Sequence, residues 1–294
     1  MKMAVHNGSF HADDVFCVAM MQEIYSDLEV VRTRDEDILN SCDIVADVGN
    51  GEFDHHSADK KLREDGIPYC AFGLLWQRYG IDYIDSYISL CPEAQVVAIQ
   101  QKIAYDFISQ FDTNDNGIDT VTSSVPVMTL SKVIDTYIPF NATSEQLDTA
   151  FFEAVEFAKK ILAYVVNKEI NFYDNLAKIE NLLNMQDVQQ KRYLVLDKKV
   201  AWKNPLIQLD TQGHVLFVVY EDTNGNWMVQ NVQKSSDTFE ARKDLPASWA
   251  GLSGQALDKV ANIEGCVFCH SARFLCGHKT KEGAIYLAEL AVNE

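Results

Sequence analysis

The sequence predicts an α/β protein with a parallel-sheet N-terminal domain, a long helical connector and a smaller α/β C-terminal domain, on three observations. Short β-branched runs and one helically spaced stretch alternate through the first 50 residues as strand, helix, strand, strand, the pattern of a parallel sheet. From Ser144 to Leu183 apolar residues recur every three to five positions. Past Met185 short β-like runs take over, two of them joined by Asn224-Gly225, a hairpin signal. At 294 residues the chain is roughly twice the length of a common domain. The boundaries are set at 1–140, 141–188 and 189–294.

The elements follow in order. Lys2 to Val5 is the first strand, and Val15, Phe16, Ala19, Met20 and Ile24 give Asp13 to Ser26 helical spacing. Glu29 to Arg32 and Asp43 to Val48 read as strands. Tyr69 to Arg78 is helical and stops at Gly80, and Glu93 to Phe111 is a second packing helix started by Pro92. Thr143 or Ser144 caps the long apolar repeat, which is one helix or two in tandem. Its job is to connect the lobes, with a homodimer contact as the alternative. Lys159, Lys160 and Lys168 on it are a solvated face. Arg192 to Leu196, His214 to Tyr220 and Trp227 to Val232 are C-terminal strands, His214 opening the second. Trp202 and Trp227 are read as packing residues, and Thr280 with Glu282 to Ala284 starts the last helix.

Composition limits the function. Hydrophobic residues at 47% and charged residues at 23% are globular. With 25 Lys plus Arg against 43 Asp plus Glu, the charge of −18 argues against a general nucleic-acid coat. No apolar run approaches the roughly 18 residues of a membrane helix, and His6, His11, Asp13 and Asp14 interrupt any N-terminal signal core. The seven scattered cysteines read as reduced thiols. A soluble cytoplasmic protein with no membrane partner is the expectation.

The main clue is that His6, His11, His55 and His56 lie in the first 56 residues with Asp13, Asp14, Asp47 and Asp54 among them. In a parallel sheet, His6 ends the first strand and Asp47 falls near the end of another, so both project at the carboxyl edge where ligands sit. Imidazoles and carboxylates together suit Mn²⁺, Zn²⁺ or Fe²⁺. Two such ions can activate a water for phosphoryl displacement, with Asp47 as the natural bridge. The alternative for any single histidine is a helix cap or a core hydrogen bond.

Several stretches then carry a resemblance. His6-Asn7-Gly8-Ser9-Phe10-His11-Ala12-Asp13-Asp14, Val31 to Asp35, Asp43 to Gly49, Asp54-His55-His56, Asp112 to Gly117, Ala201 to Lys203 and Gly265 to Ala284 together resemble the melanocyte-proliferating-gene (Myg-type) exonuclease family of the DHH phosphoesterase superfamily. The resemblance covers nearly the whole chain. It implies a DHH-phosphoesterase-like fold and a two-metal centre, Mn²⁺ first and Mg²⁺, Zn²⁺ or Fe²⁺ next, held by His6, His11, Asp13, Asp47 and His55. It gives His56 to the phosphate and Asp54 the role of orienting the pair. One further carboxylate is Asp112 or Asp115, with Asp115 favoured because Asn116-Gly117 forms a turn able to aim it inward. His270, Gly277, His278 and Lys279 become substrate-binding residues of a second lobe that closes over the first.

Two positions depart from the superfamily pattern. His11 stands where most DHH enzymes have Asp, as in Myg-type members, and Cys276-Gly277 replaces a glycine pair. Cys266-Val267-Phe268-Cys269 is not read as a metal or redox pair, because strand alternation would send the thiols to opposite faces. The implied activity is metal-dependent phosphoester hydrolysis, a 3′-5′ exoribonuclease or oligonucleotide hydrolase with RNA as partner. A small phosphoanhydride or cyclic dinucleotide is the alternative substrate, and a non-catalytic metal-binding regulator the alternative class. The family's other label, protein hydrolase, finds no HExxH pattern here.

Overall fold

The computed structural model describes residues 1–56, 60–88, 91–118 and 122–294. They divide into two compact units, Met1–Ile170 and Asn171–Glu294.

The first unit begins with β1 (Lys2–Val5), α1 (Ala12–Ile24), β2 (Glu29–Arg32), α2 (Glu36–Leu39) and β3 (Ile44–Val45). Its strands form a parallel sheet in the order β2-β1-β3, with Val5 opposite Arg32 and Ala4 opposite Val45. The expected strand to Val48 stops early because Asp47 takes φ +58. That left-handed conformation costs a residue with a Cβ about 1–2 kcal/mol. A single parallel bridge, Ala46 to Phe53, continues the edge, and the Asp47 N–H donates to the Phe53 carbonyl at 3.0 Å. α1 is buried from Ala12 to Met21 on every side, so it is a core helix.

α3 (Ala71–Asp85) does not end at Gly80. A Cβ there would sit 3.0 Å from the Trp76 ring and 3.2 Å from Gln100, so the glycine serves a close approach of helices. Trp76 Nε1 donates to the Gln100 carbonyl across it at 3.2 Å. The expected helix Glu93 to Phe111 is divided into α4 (Glu93–Ile103), a π-turn over Ala104–Ile108, and α5 (Ser109–Asp115). Single π-turns of this kind cluster at functional sites. Phe16, Phe72 and Phe111 interlock there, with ring centroids 4.6 Å apart for Phe16–Phe111 and 5.2 Å for Phe72–Phe111. α6 (Leu130–Asp135) follows, and α7 (Ser144–Met185) is one continuous helix of 42 residues that contributes to both units.

The second unit holds α8 (Val188–Lys191), β4 (Tyr193–Val195), α9 (Lys203–Leu209), β5 (Phe217–Glu221), β6 (Trp227–Asn231), α10 (Gln255–Ala261), β7 (Cys266–Cys269), β8 (Leu275–His278) and α11 (Lys281–Asn293). Its five strands run β4-β5-β6-β8-β7, parallel only between β4 and β5. Both faces are covered. Phe217 and Val219 pack with Leu287 and Ala288 of α11, whereas Val218 and Tyr220 pack with Trp202 and Leu206, the period-two alternation of a strand. Trp202 is buried and Trp227 packs against the core, as expected of packing residues.

Two expectations change here. His214 precedes β5 and is tied down by its backbone: its N–H donates to Asp210 at 3.0 Å and its carbonyl accepts from Arg192 Nε at 2.6 Å. Cys266 and Cys269 do not point to opposite faces. The register slips between Cys266 and Phe268, and both residues join Cys276 in one core cluster, because a bulge breaks the alternation on which the expectation rested.

Candidate metal centre

The parallel sheet delivers its functional residues by termination. His6 is the first residue past β1, Asp47 lies two past β3, and His11 is the N-cap of α1, so that Asp13 and Asp14 fall in its first turn. Arg32 at the end of β2 fixes the intervening loop. Its guanidinium donates to the Gly8 carbonyl at 2.7 Å and to Asp148 at 2.5 Å, and stacks over Phe151 at 4.4 Å.

Asp47 is central. One oxygen lies 3.2 Å from His6 Nε2 and the other 3.3 Å from His55 Nδ1. His55 Nε2 meets Asp115 at 2.7 Å, and its Nδ1 is 3.9 Å from Asp13. Three groups of side chains among the described residues are close enough to hold a metal ion: His6, His11 and Asp47; His11, Asp13 and Asp115; and Asp47, Asp54, His55 and His56. All six expected ligands are thus brought together. Asp54 accepts from the His56 backbone N–H at 3.0 Å, lies 2.7 Å from its Nδ1, and accepts from Asn50 N–H at 2.6 Å. The His56 ring stacks on His55 with centroids 4.2 Å apart and is the exposed member of the pair.

Asp112 and Asp115 have different surroundings. Asp112 is fully buried, accepts from the Cys70 N–H at 2.9 Å and pairs with Arg63 at 2.9 Å. Asp115, three residues on, faces His55.

Asp14 is the site residue that sequence reasoning left without a role. It is fully buried, its Oδ1 accepts from the His11 and Val15 N–H groups at 2.9 Å, and its Oδ2 lies 3.3 Å from His6 Nε2. Its place in a first helical turn looks like an ordinary dipole partner, which hides it in the sequence. Ser131 and Asp135 of α6 were missed as well. They line a cavity of about 220 Å³ with His11, Asp13 and Asp115, and only the tertiary fold brings them there.

The electrostatics show charge held out of water. Burial, then the neighbouring Asp47, Asp115 and Asp14, drives the Asp13 carboxyl well above the usual carboxylate range. Burial pushes Asp14 up to about 7, opposed by His6. Burial disfavours the charged form of His6, yet the bond to Asp47 and the charge of Asp14 outweigh it and raise the ring above its ordinary value. For Asp115 burial acts upward, but the bond to His55 and the charges of His55, His11 and His56 bring it below the ordinary value. Asp54 ends low too, burial being outweighed by the His56 backbone and ring bonds and the Asn50 N–H.

A further observation bears on metal. Both oxygens of Asp13, Asp14 Oδ2, Asp47 Oδ1 and His55 Nδ1 are buried with no hydrogen-bond partner. Native proteins satisfy nearly all buried polar atoms, and these orphans share one cluster. Imidazole and carboxylate donors of this kind fit divalent ions of the Mn²⁺, Zn²⁺ or Fe²⁺ type.

The second unit presents the expected substrate residues unevenly. The Gly277 backbone is packed against Met228, whose Sδ would lie 3.1 Å from an added Cβ. His278 is buried, its Nε2 2.9 Å from the Glu264 carbonyl and its Nδ1 accepting from the Thr280 N–H at 3.0 Å. His270 is exposed and stacks on Phe274 with centroids 4.4 Å apart. Lys279 is also exposed and lines a cavity with Gly254, Asp258 and Gly265. No helix among the described residues is long and apolar enough to cross a membrane.

The family model MYG1_exonuc, described as an uncharacterised protein family (UPF0160), matches residues 2–292. A mouse MYG1 exonuclease is 31% identical, covering 98% of this chain and 83% of its own, and a human MYG1 exonuclease is 30% identical, covering 98% and 84%. A MYG1 protein of Dictyostelium discoideum is 28% identical over 100% of this chain and 97% of its own. Among solved structures, a pGpG-specific phosphodiesterase, PggH, from Vibrio cholerae covers 99% of both chains at 13% identity with a TM-score of 0.31. RecJ from Thermus thermophilus in complex with Mn²⁺ covers 100% of this chain and 52% of its own at 11% identity with a TM-score of 0.30.

Proposed function

This chain belongs to the MYG1 exonuclease family, and from that premise we propose that it is a divalent-metal-dependent phosphoesterase, acting on RNA or short oligonucleotides in the cytoplasm as a 3′-5′ exonuclease. The observation that carries the metal dependence is the cluster of orphaned buried atoms on Asp13, Asp14, Asp47 and His55. His6, His11, Asp13, Asp47, His55 and Asp115 would hold two ions, Mn²⁺ foremost. Asp47 would be the residue shared between them, since its two oxygens face different histidines.

Two ions bound there supply the Lewis-acid charge that an in-line phosphoryl displacement needs on its attacking and leaving oxygens. The chain's own residues do the positioning. Asp54 fixes the His56 ring through Nδ1, which leaves Nε2 as the atom to face a phosphoryl oxygen. The Asn7 carbonyl holds His6 from behind by accepting from Nδ1 at 3.2 Å, as outer acceptors hold metal-binding histidines, and Asp14 faces the same Nε2 that Asp47 faces. On the second unit His270 and Lys279, at opposite ends of β8, offer the exposed polar groups for substrate, and Gly277 and His278 end the strand that leads through Lys279 to α11.

The charge of −18 favours a second reading, a small phosphoanhydride or cyclic dinucleotide, which needs no long basic track. One experiment separates the readings. The purified chain is loaded with Mn²⁺, its metal counted by elemental mass spectrometry, and a labelled series from dinucleotide to long single-stranded RNA assayed beside His55→Ala. Two equivalents of metal and stepwise shortening of RNA from the 3′ end, lost in the variant, are expected. Turnover confined to the shortest substrates selects the second reading, and full metal loading with no hydrolysis of any phosphoester overturns both.

A further inference from the structure

A second cavity of about 560 Å³ adjoins the one at the metal centre, and Phe111, Asn114 and Ser131 line both. Its volume is in the range of small-molecule sites. The nearer cavity is bordered by His11, Asp13 and Asp115, all polar and mostly acidic. The farther one differs in chemistry: Phe107 and Met128 join Phe111, with the Gln110 amide beside that of Asn114. Phe107 is half-buried, and Met128 is 69% exposed although apolar.

Aromatic and thioether walls with amides and hydroxyls at the margin suit a flat heteroaromatic group carrying its own donors and acceptors. Continuity with the metal centre determines where such a group comes from. A phosphoryl group seated among His11, Asp13 and Asp115 carries a ribose and then a base, and the cavity beyond Asn114 and Ser131 is the adjoining space. We propose that this cavity is a subsite for the nucleobase flanking the scissile phosphate, contacted by Phe107, Met128, Asn114 and Ser131. The proposal rests on the phosphoesterase reading for the position of the phosphate, while the affinity of the cavity for a base is separately measurable.

The test has a binding arm and a turnover arm. In the first, adenosine 5′-monophosphate and ribose 5-phosphate are titrated by calorimetry into the full chain with Mg²⁺, and into Met128→Ala and Ser131→Trp, after thermal melts confirm that the variants fold. The nucleotide is expected to bind roughly tenfold more tightly than the sugar phosphate, within the range that one stacked base contributes. That ratio is expected to fall toward one in both variants. In the second arm, dinucleotides abasic on either side of the phosphate are compared with the intact dinucleotide, and removal of one of the two bases is expected to lower kcat/KM by a similar factor. Equal binding of nucleotide and sugar phosphate, or a preference that both variants retain, overturns the subsite. Base-dependent binding with no hydrolysis of dinucleotide, longer RNA or any other phosphoester keeps the cavity as a base site and removes the phosphoesterase reading.

Discussion

The Arg63 guanidinium pairs with the Asp112 carboxylate at 2.9 Å, inside the first unit and one helical turn before Asp115. The same Nη1 donates to the carbonyl of Ala104, where the π-turn starts. Asp112 also lies against Gly73, where an added Cβ would come within 2.1 Å of Oδ1. The pair therefore holds α5 in place beside α3. Arg63→Met is expected to lower stability by about 3–5 kcal/mol, since it leaves a fully buried carboxylate unpaired. Urea unfolding measures this, and a loss within the error of the parent would show that the pair is not needed.

Asp14→Asn should leave the cap of α1 formed, because the amide oxygen still accepts from the His11 and Val15 N–H groups. It removes a buried negative charge beside His6 Nε2, the nitrogen that also faces Asp47. Metal affinity is expected to fall roughly 10–100-fold, the size of effect seen when a partner of a metal-binding histidine is lost. Calorimetric titration of Mn²⁺ reads it directly, and unchanged affinity would take Asp14 out of the metal's support.

Metal removal should destabilise the first unit, where Asp13, Asp14 and Asp47 are buried within one cluster. Ion binding to the folded chain alone adds about 2.7 kcal/mol at a hundred times the dissociation constant. A higher melting temperature in excess Mn²⁺ than in chelator is expected, and Asp47→Ala should abolish the difference while retaining a cooperative melt.

Glu169 on α7 gives a pH signature away from the site. It is buried, and its Oε2 has no partner. Burial raises its carboxyl above the ordinary 4.5, only partly opposed by Lys102 and Lys168. A raised carboxyl keeps its proton in the folded chain over a window where the unfolded chain has lost it. Its contribution to stability therefore declines as pH rises from 4.5 through that window and stays lower above it. Glu169→Gln removes the decline. The variant is expected to exceed the parent by on the order of 1 kcal/mol near neutral pH and to match it at about pH 4. Urea titrations across that range check the sign, and a constant difference would rule out titration of Glu169 as its source.

The candidate site was legible in the sequence because the residues it clusters sit where strands end. His6, Asp47 and His55 follow short β-branched or extended runs, so sheet order alone sends them to one edge. Asp115 could be separated from Asp112 through the Asn116-Gly117 turn, which ends α5 with Gly117 at φ +68. Other features left no local signal. Gly80 looks like a helix end because intrinsic propensity penalises glycine, and only the Trp76 ring beside it explains its place within α3. The bulge in β7 leaves no mark on Cys266-Val267-Phe268-Cys269. The π-turn lies in a stretch whose apolar residues, Val96, Ile99, Ile103 and Phe107, keep helical spacing without a break.

That widened turn acts as an angular offset between two helices that would otherwise share one phase. The face set by Val96, Ile99 and Ile103 is fixed by what it buries, and the direction of Asp115 is fixed by His55. With five residues of π geometry between them, the aim of the acid can be tuned by the length of one turn and the packing stripe left as it is. Removing a single residue there would rotate the acid away from its histidine while keeping the same amino acids on both sides.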